Sequence, residues 1–198
     1  MIVKMCGMCS LQDMDAALDC RPDYVGYIFA PGRRRTISAD LAREMTKRLG
    51  GRIPAVGVFL DQEPKEILEL LRTEVIQIAQ LHGSESEEMI RFLQRESGRA
   101  VWKAFRIRQK EDLVAAKESS ADLILLDAGT GEGKSFDWSL LSDFDRSFLL
   151  AGGLGPDNIR QAAAQVHPFG IDLSSGIETD RAKDPEKMKK VMEIVRSL

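Results

Sequence analysis

Short apolar runs recur along the chain at 2–6, 24–29, 55–60, 76–81, 100–105, 123–127, 147–151 and 169–173. Runs of this length, rich in Val, Ile, Leu and Phe and bounded by polar or Gly/Pro positions, predict buried β-strands. Between them the apolar positions change to helical spacing, as at 41–49, 67–71 and 159–166. These stretches carry helix-start signals: Ser38-Ala39-Asp40, Glu63-Pro64 and Gly155-Pro156-Asp157. The pattern is therefore strand then helix throughout, with eight strands. Such alternation implies parallel strands joined by right-handed crossovers. An open doubly wound sheet competes, but eight units closing on themselves make a (β/α)₈ barrel. The expectation is an α/β protein with one barrel domain spanning residues 1–198.

That length is at the lower edge of the fold, which typically takes about 250 residues. With 43% hydrophobic and 30% charged residues the composition is that of an ordinary globular protein. A net charge of -3 and a pI near 5.6 argue against nucleic acid or an anionic membrane as the main partner, since both are gripped by clustered cations. No run approaches the eighteen or so apolar residues of a spanning helix, and residues 1–6 lack a basic segment followed by a long apolar one. The expected ligand is a small molecule, the expected location cytoplasmic, and the expected state a monomer or homodimer. Cys6, Cys9 and Cys20, an odd number near one end, suit free thiols better than a disulfide framework.

In a barrel of this type the side chains at the carboxyl ends of the strands converge on the active site, which singles out Cys6, Asp127 and Asp172. Period-two alternation puts Lys4 and Cys6 on one face of the first strand, and Leu123, Leu125 and Asp127 on one face of the sixth. Counted through strands seven and eight, those strands are three steps apart, so Cys6 and Asp127 would face each other across the barrel mouth. Read blandly, Cys6 is a small buried hydrophobe and Asp127 a turn residue. After strands seven and eight come Ala151-Gly152-Gly153-Leu154-Gly155 and Asp172-Leu173-Ser174-Ser175-Gly176, at the positions where such barrels commonly hold phosphate. Glycine lets backbone N–H groups approach an anion closely. Arg33-Arg34-Arg35 is either a solvated basic loop or a site for a carboxylate. Residues 130–137, after Gly129 and containing Gly131 and Gly133, predict a flexible loop that can serve as a lid. His82 and His167 are the only histidines, so no His-rich metal cluster is expected. The single Cys6-x-x-Cys9 pair gives little support to a redox or zinc role.

Through Val3-Lys4-Met5-Cys6-Gly7, Gln80-Leu81-His82-Gly83, Leu126-Asp127, Ala151-Gly152-Gly153-Leu154 and the stretch from Asp172 to Glu178, nearly the whole chain resembles the phosphoribosylanthranilate isomerase family. The resemblance implies a barrel that converts N-(5-phosphoribosyl)anthranilate to 1-(2-carboxyphenylamino)-1-deoxyribulose 5-phosphate, a step of tryptophan biosynthesis, by a cofactor-free Amadori rearrangement. It implies Cys6 as general base and Asp127 as general acid. Arg35, with Arg34 as the neighbouring alternative, matches the arginine for the anthranilate carboxylate, and Asp172 the residue near the ribose hydroxyls. Gly152, Gly153, Ser174, Ser175 and Gly176 match the phosphate cradle, and His82 falls in a substrate-site motif. Three other readings compete: an isomerase of a histidine-pathway aminoaldose, a catalytically silent phosphosugar-binding barrel, and a Schiff-base aldolase using Lys103.

Overall fold

The computed structural model describes residues 1–127, 138–141 and 144–198. Eight parallel strands close into a barrel in sequence order: β1 (Ile2–Cys6), β2 (Tyr24–Ile28), β3 (Ala55–Phe59), β4 (Ile78–Leu81), β5 (Val101–Arg106), β6 (Leu123–Asp127), β7 (Phe148–Ala151) and β8 (Gly170–Leu173). Pairing of β1 with β8, Lys4 opposite Asp172, completes the ring. Each strand lies within two residues of a run expected from the sequence.

Around the barrel lie α1 (Leu11–Cys20), α2 (Ala39–Leu49), α3 (Pro64–Arg72), α4 (Glu87–Ser97), α5 (Asp112–Glu118), α6 (Ile159–Val166) and α7 (Pro185–Arg196). Their ends follow local chemistry. The Ser38 hydroxyl caps α2 by accepting from the Leu41 N–H, and α2 stops at left-handed Gly50. Pro64 opens α3, where its missing N–H costs nothing. In the sixth unit the described residues of the connection include a four-residue 3₁₀ turn, Trp138–Leu141. A single turn has room to bury Leu141 in the core and no more, and 3₁₀ geometry suits such short pieces. The loop expected at 130–137 lies outside the described residues.

Alternation along the strands splits the core in two. Val3 and Met5 of β1, and Ile124 and Leu126 of β6, pack outward beneath the helices. Leu125, Leu149, Val56, Ile78, Trp102 and Ala104 fill the barrel interior, joined from below by Ile2, Tyr24 and Leu123. Several inward positions nearer the carboxyl ends are polar. Lys4 is fully buried, Gln80 is 1% exposed, and Cys6 and Asp127 end their strands on the same inner face. An apolar floor below polar strand ends is what turns a packed barrel into a site at one end. Among the described residues no helix is long and apolar enough to cross a membrane.

Candidate active site

Cys6 is buried at the end of β1, and its Sγ rests against Gly26 of β2, where a Cβ would come within 2.7 Å of the sulfur. Burial pushes the thiol above its ordinary value, with the charge of Lys4 pulling the other way. Lys4 Nζ donates to Asp172 Oδ1 at 2.9 Å. Burial opposes the ammonium, but Asp172 and Cys6 together outweigh it and hold the Lys4 pKa above the usual lysine range. Burial pushes Asp172 up in turn, against the pull of Lys4. On the other side of the mouth, His82 Nε2 lies 3.3 Å from Asp127 Oδ2, both side chains partly open to solvent. Asp127 is near enough to Asp172 to add to the upward push on that carboxyl. A chain of charged and polar groups thus runs from β1 through β8 to β6 and β4.

The two glycine loops meet backbone to backbone. A Cβ on Gly176 would overlap the carbonyl of Leu154, and Gly155 sits against the carbonyl of Gly176. Gly152 and Gly153 take φ of 94° and 65°, values that favour glycine. Asn158 braces this turn, its Oδ1 accepting from Gly155 N and its Nδ2 donating to the Gly153 carbonyl. Ser174 donates from Oγ to the Cys6 carbonyl at 3.2 Å, tying the β8 loop to the end of β1. Ser175 opens a 3₁₀ turn, Ser175–Ile177.

The arginine run is no solvated loop at Arg34 and Arg35. Thr36 bridges back to Ile28 and its hydroxyl donates to the Ala30 carbonyl, so the turn is fixed. Arg35 crosses above Gly7, where a Cβ would lie 2.5 Å from Arg35 Cδ, and its Nε and Nη2 both donate to the carboxylate of Glu178. Glu178 belongs to a small hairpin, β9 (Glu178–Thr179) with β10 (Ala182–Lys183), whose tight turn sets Asp180 and Arg181 at positive φ. Arg34 also donates to Glu178, and to the Arg181 carbonyl. Lys183 Nζ, 2% exposed as a side chain, donates to Glu178 at 3.1 Å and to the Ser174 carbonyl at 2.9 Å. Burial pushes the Glu178 carboxyl up, yet hydrogen bonds from Arg35 and Lys183 outweigh it and hold the pKa at about 2.

Most of the residues singled out from sequence therefore gather at one end of the barrel, and both arginine candidates for a ligand carboxylate share one internal partner. Sequence reasoning gave no role to Glu178, Lys183 or Gln80. Glu178 stands 143 positions from Arg35, a separation at which no local pattern reports contact. Lys103 departs from the aldolase reading: it shares the outward face of β5 with Val101 and Phe105, and its Nζ binds Glu85 at 2.6 Å and the Gly83 carbonyl at 2.7 Å. It anchors the loop that follows His82. All three cysteines are free, and only Cys9 is exposed.

A closed parallel barrel with titratable groups converging at the carboxyl ends of its strands defines an enzyme of the (β/α)₈-barrel class. Within that class the chain belongs to the N-(5'-phosphoribosyl)anthranilate isomerase family, whose model, N-(5'phosphoribosyl)anthranilate (PRA) isomerase, matches residues 3–194. It is 36% identical to the N-(5'-phosphoribosyl)anthranilate isomerase of Acetivibrio thermocellus, over 98% of this chain and 95% of that protein. The crystal structure of phosphoribosyl anthranilate isomerase from Thermotoga maritima superposes over 100% of both chains, with a TM-score of 0.90 and 35% identity. A phosphoribosyl anthranilate isomerase in complex with reduced 1-(o-carboxyphenylamino)-1-deoxyribulose 5-phosphate is likewise similar over 100% of both chains, with a TM-score of 0.87 and 34% identity.

Proposed function

We propose that this barrel isomerises N-(5-phosphoribosyl)anthranilate to 1-(2-carboxyphenylamino)-1-deoxyribulose 5-phosphate by acid/base chemistry on its own side chains. The observation that carries the reading is the opposition of a thiol on β1 and a carboxyl on β6 above a floor that leads to two abutting glycine turns.

In this reading the backbone N–H groups of Gly152, Gly153 and residues 174–176 receive the phosphate, as loops after strands seven and eight do in such barrels. Glu178 takes Nε and Nη2 of Arg35, so the Nη1 side of the fork is the one turned to the substrate carboxylate. Asp172, fixed by Lys4, faces the ribose hydroxyls. Asp127, placed beside His82, gives its proton to the furanose ring oxygen; the C1–O bond breaks and a Schiff base forms at C1. Cys6 as thiolate then removes the C2 proton, the electrons flow to nitrogen, and the enolamine so formed tautomerises to the ketone.

Burial alone works against the thiolate this role needs, so the cations beside Cys6 have to supply it. Lys4 and Lys183 are the cations beside Cys6 that favour its thiolate. Purified protein mixed with phosphoribosylanthranilate should abolish the fluorescence of that compound exponentially and far faster than its spontaneous decay. A rate no faster than the protein-free control would overturn the reading.

A further inference from the structure

Gln80 sits on the inner face of β4, one step above Ile78 of the interior core and one step below His82. At about 3.3 Å of rise per residue, it lies roughly 6.6 Å deeper in the barrel than His82. Its register neighbours are Val58 on β3 and Trp102 on β5, both buried and neither able to offer a donor to a side chain at this depth except the indole N–H. Trp102 instead packs edge-on against Tyr24 at 4.9 Å between ring centres, toward the lower end of the barrel. Gln80 Oε1 is fully buried and, among the described residues, is the one buried side-chain oxygen or nitrogen without a hydrogen-bond partner.

An acceptor oxygen held in this state destabilises the fold, because it has left water without gaining a hydrogen bond in return. A leucine or methionine would fill the same volume without that loss. The rest of the inner face shows the contrast: buried Lys4 is paired with Asp172, and Ser174 with the Cys6 carbonyl. An unpaired acceptor one step below the polar strand ends, flanked by apolar side chains, is placed to discriminate between ligands with and without a donor at that point.

We propose that Gln80 is a substrate-contacting, specificity-determining residue whose carboxamide accepts a hydrogen bond from a sugar hydroxyl or the anilino N–H of the bound substrate. The proposal rests on the isomerase reading above and adds to it a floor contact between the phosphate cradle and the Asp127–His82 wall. Gln80 takes no proton and moves none; it fixes the height and rotation of the sugar, which the acid and the base then approach from either side.

The test is Gln80→Met, which keeps the volume and deletes both polar atoms. The melting temperature should stay level or rise, since an unsatisfied group is removed, while KM rises about tenfold and kcat falls less. Competitive inhibition by inorganic phosphate, which reaches only the glycine turns, should be unchanged. Gln80→Asn, which retracts the amide by one methylene, should also raise KM while melting at or slightly below the parent temperature. A Gln80→Met protein that melts lower and keeps the parent KM would overturn the proposal, and assign Gln80 to holding a buried water or a neighbouring strand. Parent protein and Cys6→Ser run alongside keep the two ideas apart. With the parent active and Cys6→Ser impaired, an unchanged KM in Gln80→Met removes the Gln80 contact alone. An inactive parent removes both.

Discussion

At the scale of single residues, the thiol of Cys6 carries a consequence that solution chemistry can read. Burial is the largest influence on it and raises its pKa above the ordinary thiol value, which favours the protonated thiol. Alkylation by iodoacetamide, followed on the Cys6 peptide by mass spectrometry, should therefore accelerate about tenfold per pH unit through neutrality, without levelling off below pH 9. Levelling off below pH 7 would show a thiolate that the surroundings do not predict. Cys9, exposed, is the internal reference for access. The positions of Cys6 and Asp127 were legible in the sequence because a strand has period two and both residues terminate an inward-facing row. The state of the Cys6 proton was not, because it depends on Gly26 leaving room for the sulfur and on Lys4 and Lys183 arriving from β1 and from the β9–β10 hairpin.

Among elements, the hairpin β9–β10 is the piece that sequence patterns did not reveal. Strands of two residues have no periodicity to detect, and their turn uses Asp180 and Arg181 at positive φ where glycine or asparagine would have announced it. Its work is done by Glu178, the anion that three cations from two loops share. The folded-state pKa of about 2 lies below the ordinary 4.5, so the carboxylate stabilises the fold fully above pH 4.5 and progressively less as pH falls toward 2. Urea unfolding at pH 6 and pH 3 should show the parent losing more stability over that interval than Glu178→Gln. The variant, with Arg34, Arg35 and Lys183 left without their carboxylate, should be less stable than the parent at pH 6 by about 1.5–3 kcal/mol. Equal acid sensitivity in the two proteins would mean that the cluster contributes nothing to the fold. The helices were easier to read than this hairpin: Ser38 and Pro64 mark starts that the chain uses, because caps are local chemistry.

For the whole molecule, the closed barrel followed from counting, since eight buried runs separated by helical stretches leave few topologies once crossovers must be right-handed. What the sequence pattern did not show is the four-residue 3₁₀ turn Trp138–Leu141, because an apolar count cannot distinguish one turn that buries a leucine from the start of an α-helix. Closure is also what makes the site. It brings β1 beside β8, sets Lys4 against Asp172, and carries Cys6 and Asp127 to facing sides of one mouth, although 121 positions of chain separate them. The most direct test of that arrangement is turnover of phosphoribosylanthranilate by Cys6→Ser and Asp127→Asn beside the parent, read as the rate of fluorescence loss at saturating substrate. Each variant should lose about 10²- to 10⁴-fold in kcat while its folded structure, checked by circular dichroism, is kept. Turnover within a few-fold of the parent in either variant would contradict the assignment of base and acid to these two groups.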